Sequence, residues 1–488
     1  MLKNIVGREN EIKTLSRFLQ SKRPEFLAIY GRRRVGKTFL IKEFFKNKPV
    51  VFFTATGLKQ GSMKEQIKHF TAMLSEVFYK GVELTPKRNW DDTFDLLTKT
   101  IKEIKEKIVI FLDELPWMAT PKSKLLEAID YYWNQYLSTD NRIKFIVCGS
   151  SASWIIDKII NNTGGLHNRL TYDMYLEPFN LSQTKQFLGS RSIRLNHKQI
   201  MDLFMVLGGI PYYLNKIEAG LSSTQVIEGL AFTRKSFLLR EFDNLFSSLF
   251  KNSDIYVDII TTIASFRYGI GQNELLVKLG KPLAGKGGLQ KLKELEDAGF
   301  IISFKPIFHK EKGIYYRVID NYSLFYLSWI KPIKQNLMKK SLLKGYWDKI
   351  KNKASWNSWA GLTFETICYE HLPQITKALN LSPTAIPNTW RYVPRKGSNE
   401  KGAQIDLLFD RDDGSITICE IKYSDQPFVI TKDYAEKLKR KLEPFRKITR
   451  TNKQLFVAMI VANGIKRNQY SEELITGVVT LDDLFKEI

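Results

Sequence analysis

The chain has 488 residues, of which 43% are hydrophobic and 26% are charged, and this composition excludes wholesale disorder. Its length is enough for about three domains. Lysine and arginine outnumber aspartate and glutamate by 75 to 51, which gives a formal net charge of +24. This excess favours a polyanionic partner, with DNA ahead of an acidic membrane surface, although a lysine-rich solvated surface gives the same count.

Several classes of protein are excluded by what the sequence lacks. Its three cysteines, Cys148, Cys368 and Cys419, form no CxxC pair, so neither a disulfide framework nor a zinc cluster is expected. The first nine residues lack the apolar core of a signal peptide. No apolar run approaches the ~20 residues of a membrane span, so we expect a cytoplasmic protein without integral membrane association.

Up to about residue 180, apolar runs alternate with amphipathic helical stretches. Several runs are nearly continuous in apolar residues, as in strands that are buried on both faces. This alternation predicts an α/β domain with a parallel sheet over residues 1–180. The predicted strands are residues 26–31, 49–55, 107–114, 144–151 and 174–179.

The rest of the chain divides into three further predicted parts. Residues 181–250 read as a helical domain, interrupted by Gly208-Gly209-Ile210-Pro211. Residues 251–335 carry helical stretches and then two strand candidates, 300–304 and 314–319, which is the order of a winged helix. Residues 336–488 read as a small α/β domain that follows a basic linker at 331–353. Its predicted elements are a helix at 355–372, extended segments at 389–394, 404–409, 415–422 and 455–461, and a basic helix at 433–443 that Pro444 ends.

The strongest motif is a phosphate-binding loop, Gly31-x-x-x-x-Gly36-Lys37-Thr38, between a predicted strand and a predicted helix. Its glycines allow backbone N–H groups to surround phosphates, at a helix N-terminus that favours negative charge. Lys37 is expected to reach the β- and γ-phosphates of ATP, and the Thr38 hydroxyl to bind Mg²⁺.

A second motif is the apolar run 108–112 that ends in Asp113 and Glu114, the Walker B pattern. Asp113 is expected to contact Mg²⁺ and Glu114 to polarise the attacking water. The next buried run ends in Gly149-Ser150-Ser151. Two interpretations of these serines stay open: one of them, Ser150 or Ser151, senses the γ-phosphate, or the polar side chain caps a helix.

These motifs occur in one order with Gly7-Arg8-Glu9, residues 164–169 and residues 208–214. The series resembles the archaeal-type ATPases of the STAND class, which are related to AAA+ proteins. The resemblance covers residues 1 to about 330 and implies a P-loop (ASCE-type) sheet with an additional strand, a helical lid and a winged helix. It also implies that Pro211 approaches the adenine and that Gly7–Glu9 lie beside the base. Arg169 is implied to act as an arginine finger or phosphate sensor, in cis or from a neighbouring subunit of a homo-oligomer. The expected ATP contacts are Gly7, Arg8, Gly31, Arg33, Arg34, Val35, Gly36, Lys37, Thr38, Phe39, Ser150 and Pro211.

The winged helix has two open interpretations. Its expected recognition helix carries Lys286, Gln290, Lys291 and Lys293, which are able to face DNA phosphates. Winged helices in this ATPase class also serve as packing or regulatory modules, which makes a protein partner the alternative.

The C-terminal part carries a second charged set, Asp406 with Glu420-Ile421-Lys422. Side chains alternate along a strand, so Glu420 and Lys422 share a face. The turn Asp412-Asp413-Gly414 predicts a hairpin that brings Asp406 beside them. Two converging carboxylates suit Mg²⁺, which activates water, and Lys422 is expected to orient that nucleophile. Glu365 on the preceding helix is a further candidate acid.

This arrangement resembles the PD-(D/E)xK nucleases, a restriction-endonuclease-like fold, with Ile405 at the position of the proline. Basic residues between Lys437 and Lys453 support a DNA substrate. The sequence therefore predicts an ATPase that controls a Mg²⁺-dependent DNA endonuclease. The alternative is an ATP-dependent signalling or transcription regulator whose C-terminal domain binds nucleic acid or a partner without cleaving.

Overall fold

The computed structural model describes residues 4–161, 169–266, 268–280, 286–305, 313–339, 345–392, 394 and 402–488. Residues 164–168, most of the turn predicted at 309–313 and the side chain of Lys286 lie outside the described residues. The chain divides into two compact units. The first contains Met1–Pro178, Ile210–Tyr212 and Gln290–Gly299; the second contains Phe179–Gly209, Tyr213–Leu289 and Phe300–Ile488.

The first unit is built on a five-stranded parallel sheet in the order β2-β3-β4-β1-β5, which confirms the predicted α/β fold. Each predicted strand lies within a few residues of an observed one. Strand β4 lies between β1 and β3, so the additional strand implied by the resemblance is present. The strands are β1 (Glu25–Tyr30), β2 (Val50–Thr56), β3 (Lys107–Asp113), β4 (Ile143–Cys148) and β5 (Tyr172–Tyr175).

Helices cover this sheet and build a large apolar core around aromatic side chains such as Phe53, Phe70 and Trp90. Helix α3 begins with a capping box, in which Ser62 and Glu65 satisfy each other's backbone N–H groups. The helices are α1 (Glu9–Gln20), α2 (Lys37–Phe45), α3 (Met63–Phe78), α4 (Trp90–Ile101), α5 (Leu115–Met118), α6 (Leu125–Gln135) and α7 (Ala152–Ile155), with a 3-10 turn at Leu137–Thr139 and a π turn at Ile156–Ile160 after α7.

Residues 181–250 are helical, as predicted. Their helices are α8 (Leu181–Ser190), α9 (His197–Leu207), α10 (Pro211–Leu214), α11 (Ser223–Ala231) and α12 (Phe237–Leu249). Between α9 and α10, Gly209 lies against the backbone of Phe179, whose N–H donates to the Gly209 carbonyl at 2.7 Å.

Three helices and a small antiparallel sheet, in the order β6-β8-β7, follow. These elements are α13 (Ser253–Ala264), β6 (Ile270–Gly271), α14 (Gln272–Leu279), α15 (Lys286–Asp297), β7 (Ile301–Phe304) and β8 (Tyr315–Val318).

The linker predicted at 331–353 is wrong for its described residues, which are mainly helical. The segments here are α16 (Asn321–Phe325), a π turn (Tyr326–Ile330), a 3-10 turn (Lys331–Ile333), α17 (Lys334–Lys339) and α18 (Tyr346–Lys351). Leu337 and Trp347 are buried, and the Trp347 ring packs against Trp329 and Trp356. These two buried apolar side chains stabilise the described helices of this segment, although its lysine-rich composition resembles that of a linker.

The C-terminal part contains a mixed sheet in the order β15-β13-β11-β10-β9 and a short parallel pair, β12 with β14. Strands β9, β10 and β11 are antiparallel, whereas β13 and β15 run parallel to β11. The elements are α19 (Ala354–Glu370), α20 (Leu372–Ala378), β9 (Ile386–Tyr392), β10 (Ala403–Asp410), β11 (Ser415–Lys422), β12 (Phe428–Val429), α21 (Lys432–Thr449), β13 (Gln454–Val461), β14 (Ile465–Lys466), α22 (Gln469–Leu474), β15 (Ile475–Val479) and α23 (Leu481–Leu484).

The prediction that Pro444 ends the basic helix is wrong, because α21 continues to Thr449. Phe445 is fully buried against Trp390. This packing offsets a proline cost of about 3 kcal/mol inside a helix. Among the described residues, no helix is long and apolar enough to cross a membrane.

We expect Gly209→Ala to destabilise the second unit by about 3 kcal/mol, because overpacking forces the backbone apart. A Cβ at this position would lie 1.7 Å from the Phe179 carbonyl oxygen. Gly229→Ala is the matched control: it lies in helix α11 with nothing within 4 Å of its added Cβ. Denaturant titration should show a loss for Gly209→Ala and none for Gly229→Ala; equal midpoints would contradict the close approach.

Candidate functional site

The phosphate-binding loop leaves β1 after Tyr30 and enters α2 at Lys37. Gly31 has φ +133°, and a Cβ there would lie 2.5 Å from the Leu176 carbonyl oxygen, so the position requires glycine. Gly36 has φ +96°, also in the left-handed region. The Lys37 ammonium donates to the Gly31 and Arg32 carbonyls, at 2.8 and 2.9 Å. Burial lowers the pKa of Lys37, and the nearby carboxylates oppose this shift.

The two predicted Mg²⁺ ligands of this loop are in direct contact. The Thr38 hydroxyl lies 3.0 Å from both carboxylate oxygens of Asp113. Asp113 is the last residue of β3 and Thr38 is in the first turn of α2. A hydroxyl and a carboxylate are oxygen ligands of the kind that Mg²⁺ takes in phosphoryl-transfer sites, so these residues fit the ion.

Of the two serines after β4, Ser150 contacts Glu114, and a role as γ-phosphate sensor stays a prediction. Its hydroxyl and its backbone N–H both donate to Oε2 of Glu114, at 2.8 and 3.1 Å. Ser151 precedes α7 and its side chain makes no capping hydrogen bond. Glu114 has φ +50°, a left-handed conformation that is uncommon outside glycine. The carboxylate of Glu114 is therefore held on one oxygen by Ser150.

Arg8 lies beside the phosphate-binding loop, whereas the position beside the adenine that the resemblance implies stays a prediction. Its guanidinium donates to the carbonyls of Val35, at 3.3 Å, and Glu177, at 2.8 Å. Burial lowers the pKa of Arg8, and Glu11 opposes that shift with an ion pair at 3.2 Å. Arg8 thus ties the segment at Gly7 to the phosphate-binding loop.

Two aromatic residues that sequence reasoning missed contact the arginines of the loop. The Arg34 guanidinium lies 4.4 Å from the ring of Tyr212, directly after Pro211. The Arg33 guanidinium lies 5.5 Å from the ring of Trp117, three residues after Glu114. No sequence motif carried these contacts, because cation–π pairs need no fixed spacing.

The structure does not bring Arg169 to this cluster, whereas Phe39 directly follows Thr38 on α2. Thr171 donates to the carbonyl of Phe26, near the start of β1, whereas the loop follows the end of that strand. Arg169 therefore lies near the edge of the sheet where β1 starts, opposite the edge with the loop. From Phe26 to Gly31 the extended chain spans about 16 Å, at 3.3 Å per residue. Whether Arg169 acts in cis or from a neighbouring subunit stays a prediction. Phe39 lies on α2 with 54% of its side chain exposed.

In the C-terminal part, the predicted hairpin places Asp406 beside Glu420. Leu407 pairs with Cys419 across β10 and β11, and the N–H of Ile421 donates to Oδ2 of Asp406 at 3.4 Å. Burial and the neighbouring Glu420 carboxylate raise the pKa of Asp406. The carboxylates of Asp406 and Glu420, on paired strands, therefore lie close together in a partly desolvated site, as predicted.

Glu420 is buried, with three side chains on its carboxylate. Oε1 accepts from the Tyr434 hydroxyl at 2.8 Å and pairs with Lys422 at 2.9 Å, and Oε2 pairs with Lys441 at 2.6 Å. Burial raises the pKa of Glu420, but Lys422 and Lys441 outweigh it and lower the pKa to about 2. Sequence reasoning named Lys422 and missed Tyr434 and Lys441, which come from the basic helix α21.

Glu365 joins the same neighbourhood from helix α19. It lines a cavity of about 370 Å³ together with Asp406 and Arg317. The Tyr369 hydroxyl, one helical turn further along, donates to the backbone carbonyl of Asp406 at 2.5 Å. Burial lowers the pKa of Lys422, but Glu420, Asp406 and Glu365 outweigh it and raise the pKa. The four predicted residues Glu365, Asp406, Glu420 and Lys422 are therefore close together.

The fit of a divalent cation differs between the two carboxylates. The hydrogen bonds that Asp406 accepts from Gln404 and Ile421 are both 3.4 Å long, which leaves its oxygens accessible to a stronger partner. Both Glu420 oxygens accept from cationic side chains. Among the described residues, no three or more His, Cys, Asp or Glu side chains form a group that could hold a metal ion. Asp406 thus has oxygens that are available to a cation, whereas Glu420 would gain one only if a lysine moved.

Comparison with known proteins agrees with the first of these sites. Residues 5–217 match a family described as an ATPase domain predominantly from Archaea, and residues 326–438 match one described as Archaea bacterial proteins of unknown function. An uncharacterized protein of Methanocaldococcus jannaschii is 28% identical over 424 residues, which cover 86% of this chain and 88% of that protein. An uncharacterized ATP-binding protein of the same organism is 24% identical over 309 residues, covering 53% of this chain and 83% of that protein.

A solved structure, the Walker-type ATPase of Pyrococcus abyssi, is similar with a TM-score of 0.46 and 19% identity, covering 67% of this chain and 99% of that one. The family match rests on residues 5–217, which contain the loop, Asp113, Glu114 and Ser150. The chain therefore carries a P-loop ATPase domain that binds ATP.

We expect Asp406→Asn to raise the free energy of unfolding at pH 7 by about 1 kcal/mol, as substitutions that relieve a strained functional site do. The pKa of Asp406 is raised, so the folded state holds its proton more tightly than the unfolded state. The native chain regains this stability as the pH falls, and the advantage of the variant disappears toward about pH 4.

Glu420→Gln is the matched contrast on the neighbouring strand. It leaves Lys422 and Lys441 without their carboxylate, which should cost about 3 kcal/mol at pH 7. Because the pKa of Glu420 is depressed to about 2, that deficit should shrink as the pH falls from about 4 to about 2. Denaturant titrations across pH measure the free energy of unfolding of both variants. If the two variants changed this free energy with the same sign at pH 7, the assigned charges would be contradicted.

Proposed function

We propose that this chain is an ATP-hydrolysing switch that controls a magnesium-dependent nuclease acting on DNA. The observation that carries the proposal is the convergence of Glu365, Asp406, Glu420 and Lys422 in a chain that also holds a P-loop ATPase domain. The net charge of +24 supports a polyanionic substrate.

In the ATPase half, phosphate oxygens replace the Gly31 and Arg32 carbonyls as acceptors for Lys37. Thr38 and Asp113 hold Mg²⁺, which neutralises charge that develops on the phosphates. Glu114 orients and polarises the attacking water. Ser150 occupies one oxygen of Glu114, so the other oxygen is the one that faces the water. Arg169 contributes from a neighbouring subunit of a homo-oligomer.

The segment 251–335 acts as a packing and regulatory module. The order α13-β6-α14-α15-β7-β8, with an antiparallel sheet, supports a winged helix. Lys293, a candidate DNA contact on α15, is paired with Asp157 at 2.7 Å. That ion pair supports the packing interpretation over DNA contact by this helix.

In the nuclease half, Asp406 and Glu420 hold the metal, which supplies an activated water and stabilises charge on the scissile phosphate. Lys422 orients the nucleophile, and Glu365 supplies a further acid. One observation favours a second function, a domain that binds nucleic acid without cleaving: both oxygens of Glu420 are already engaged by lysines.

We expect Ser150→Ala to lower kcat for ATP hydrolysis about tenfold, since it loses one hydrogen bond that positions the base while the backbone N–H remains. ATP affinity should stay unchanged, whereas Lys37→Ala should lose both binding and hydrolysis. Ser151→Ala is the matched control and should behave like the native chain. Steady-state ATPase assays with nucleotide-binding titrations measure this. Normal hydrolysis by Lys37→Ala, or equal effects of the two serine variants, would contradict the assigned roles.

We expect Asp406→Ala to abolish Mg²⁺-dependent cleavage of plasmid and linear DNA, because one of two metal-binding carboxylates is lost. Asp410→Ala is the matched control: it lies on the same strand and pairs with Lys453, outside the carboxylate cluster. Lys37→Ala should remove the effect of ATP on cleavage. Gel assays with and without ATP measure both. Cleavage by Asp406→Ala equal to that of the native chain would rule out this site, and DNA binding without cleavage by the native chain would favour the second function.

A further inference from the structure

A basic groove runs along helix α21, beside the carboxylate cluster. It has a volume of about 760 Å³, and the other wall is formed by β9 and the start of β10. Its charged lining residues are Asp433, Lys437, Arg440, Lys441, Glu443 and Lys447. Four cations therefore face two acids, so the groove attracts an anionic ligand.

The cations of the groove lie on one face of the helix. These cations recur along the helix at intervals of three to seven residues: Lys437, then Arg440 or Lys441, then Lys447. This spacing keeps them on the same side. From Lys437 to Lys447 the helix rises about 15 Å. One DNA strand presents about four phosphates over that length, at 3.4 Å per nucleotide. The row of positive charge thus matches a nucleic-acid backbone better than a single small anion.

Lys441 belongs to both the groove and the carboxylate cluster. It lines the groove, and its ammonium lies 2.6 Å from Oε2 of Glu420. Its side chain is 20% exposed, whereas that of Glu420 is 6% exposed. Lys441 therefore reaches from a solvent-accessible surface to a buried carboxylate.

We propose that a DNA phosphate in this groove takes Lys441 from Glu420, and that this exchange frees Oε2 of Glu420 to bind Mg²⁺. The inference rests on the proposed nuclease function and adds a regulation to it: DNA and metal bind cooperatively at one site. Lys422 and Tyr434 keep their contacts with Oε1, so Glu420 stays oriented while Lys441 moves.

The charge balance of the cluster supports this exchange. With Lys441 in place, the Glu420 carboxylate is paired with two ammonium groups, those of Lys422 and Lys441. Once Lys441 turns to a phosphate, Oε2 of Glu420 loses its cation, and a divalent cation at that oxygen replaces the lost positive charge. By linkage, whatever factor DNA adds to metal affinity, metal adds to DNA affinity.

The test compares Lys441→Ala and Lys441→Gln with Lys439→Ala in the full chain. Lys439 lies on the same helix but pairs with Glu436 at 3.6 Å and does not line the groove, so it is the matched control. Lys441→Gln keeps a hydrogen-bond donor for Glu420 without the charge. A Lys437→Ala/Arg440→Ala double variant probes the groove without touching the carboxylates.

The first readout is binding of a labelled DNA duplex in EDTA, by fluorescence anisotropy across salt concentrations. Each lost phosphate contact should lower the slope of log affinity against log salt by about 0.9. We expect a loss of about one contact for both Lys441 variants, about two for the double variant, and none for Lys439→Ala. A Lys441 slope equal to that of Lys439→Ala would overturn the proposal, as would tighter binding to anionic liposomes than to DNA.

The second readout is Mn²⁺ binding, by calorimetry, with and without the duplex. The native chain should bind Mn²⁺ about tenfold more tightly when DNA is present. Lys441→Gln should bind it tightly in both conditions, because its neutral amide does not compete for Glu420. A native affinity that DNA leaves unchanged would overturn the exchange. Neither readout needs cleavage: absent DNA cutting with intact coupling refutes only the nuclease function, whereas lost coupling with intact cutting refutes only this inference.

Discussion

The ATP site depends on one constraint, the parallel pairing of β1 with β4 and of β4 with β3. Carboxyl ends of parallel strands meet at one edge of a sheet, so the loop after β1, the acids after β3 and Ser150 after β4 are brought together. The strands are buried, which fixes their register. Lys144, the second residue of β4, is a charged side chain that this pairing buries. Burial lowers its pKa to about 8, and its ammonium donates to the Arg23 carbonyl.

The two sites use paired carboxylates in different ways. Asp113 and Glu114 are adjacent in sequence, and the left-handed turn at Glu114 directs one acid to Thr38 and the other to Ser150. Asp406 and Glu420 come from neighbouring strands, and their pKa values are pushed apart: burial and Glu420 raise the pKa of Asp406, whereas at Glu420 the two lysines outweigh burial and lower the pKa. Environments that split a carboxylate pair in this way separate the roles of its members. Of the two carboxylates, Asp406 is the one with less positive charge beside it.

Sequence patterns reveal those parts of the structure that depend on local physics. Buried strands are apolar over their whole length, and the glycines of the loop have conformations that only glycine tolerates easily, so both were predictable. Contacts between distant segments were not. Lys441 approaches Glu420 from helix α21, which the burial of Phe445 against Trp390 anchors to the sheet, and no sequence pattern encodes that packing. The position of Arg169 follows from the pairing of Thr171 with Phe26, which no motif encodes.

Within the second unit, the boundary predicted at residue 336 separates residues that share one environment. Arg317 on β8 lies 4.4 Å from the ring of Tyr369, and Tyr369 holds the backbone of Asp406. Burial lowers the pKa of Arg317, whereas Tyr369, Glu370 and Glu365 favour its charge. A buried guanidinium needs such neighbours, because an unpaired charge in the interior is strongly unfavourable. The carboxylate cluster and strand β8 therefore stabilise each other, because the charge of Arg317 on β8 is favoured by Glu365 of the cluster.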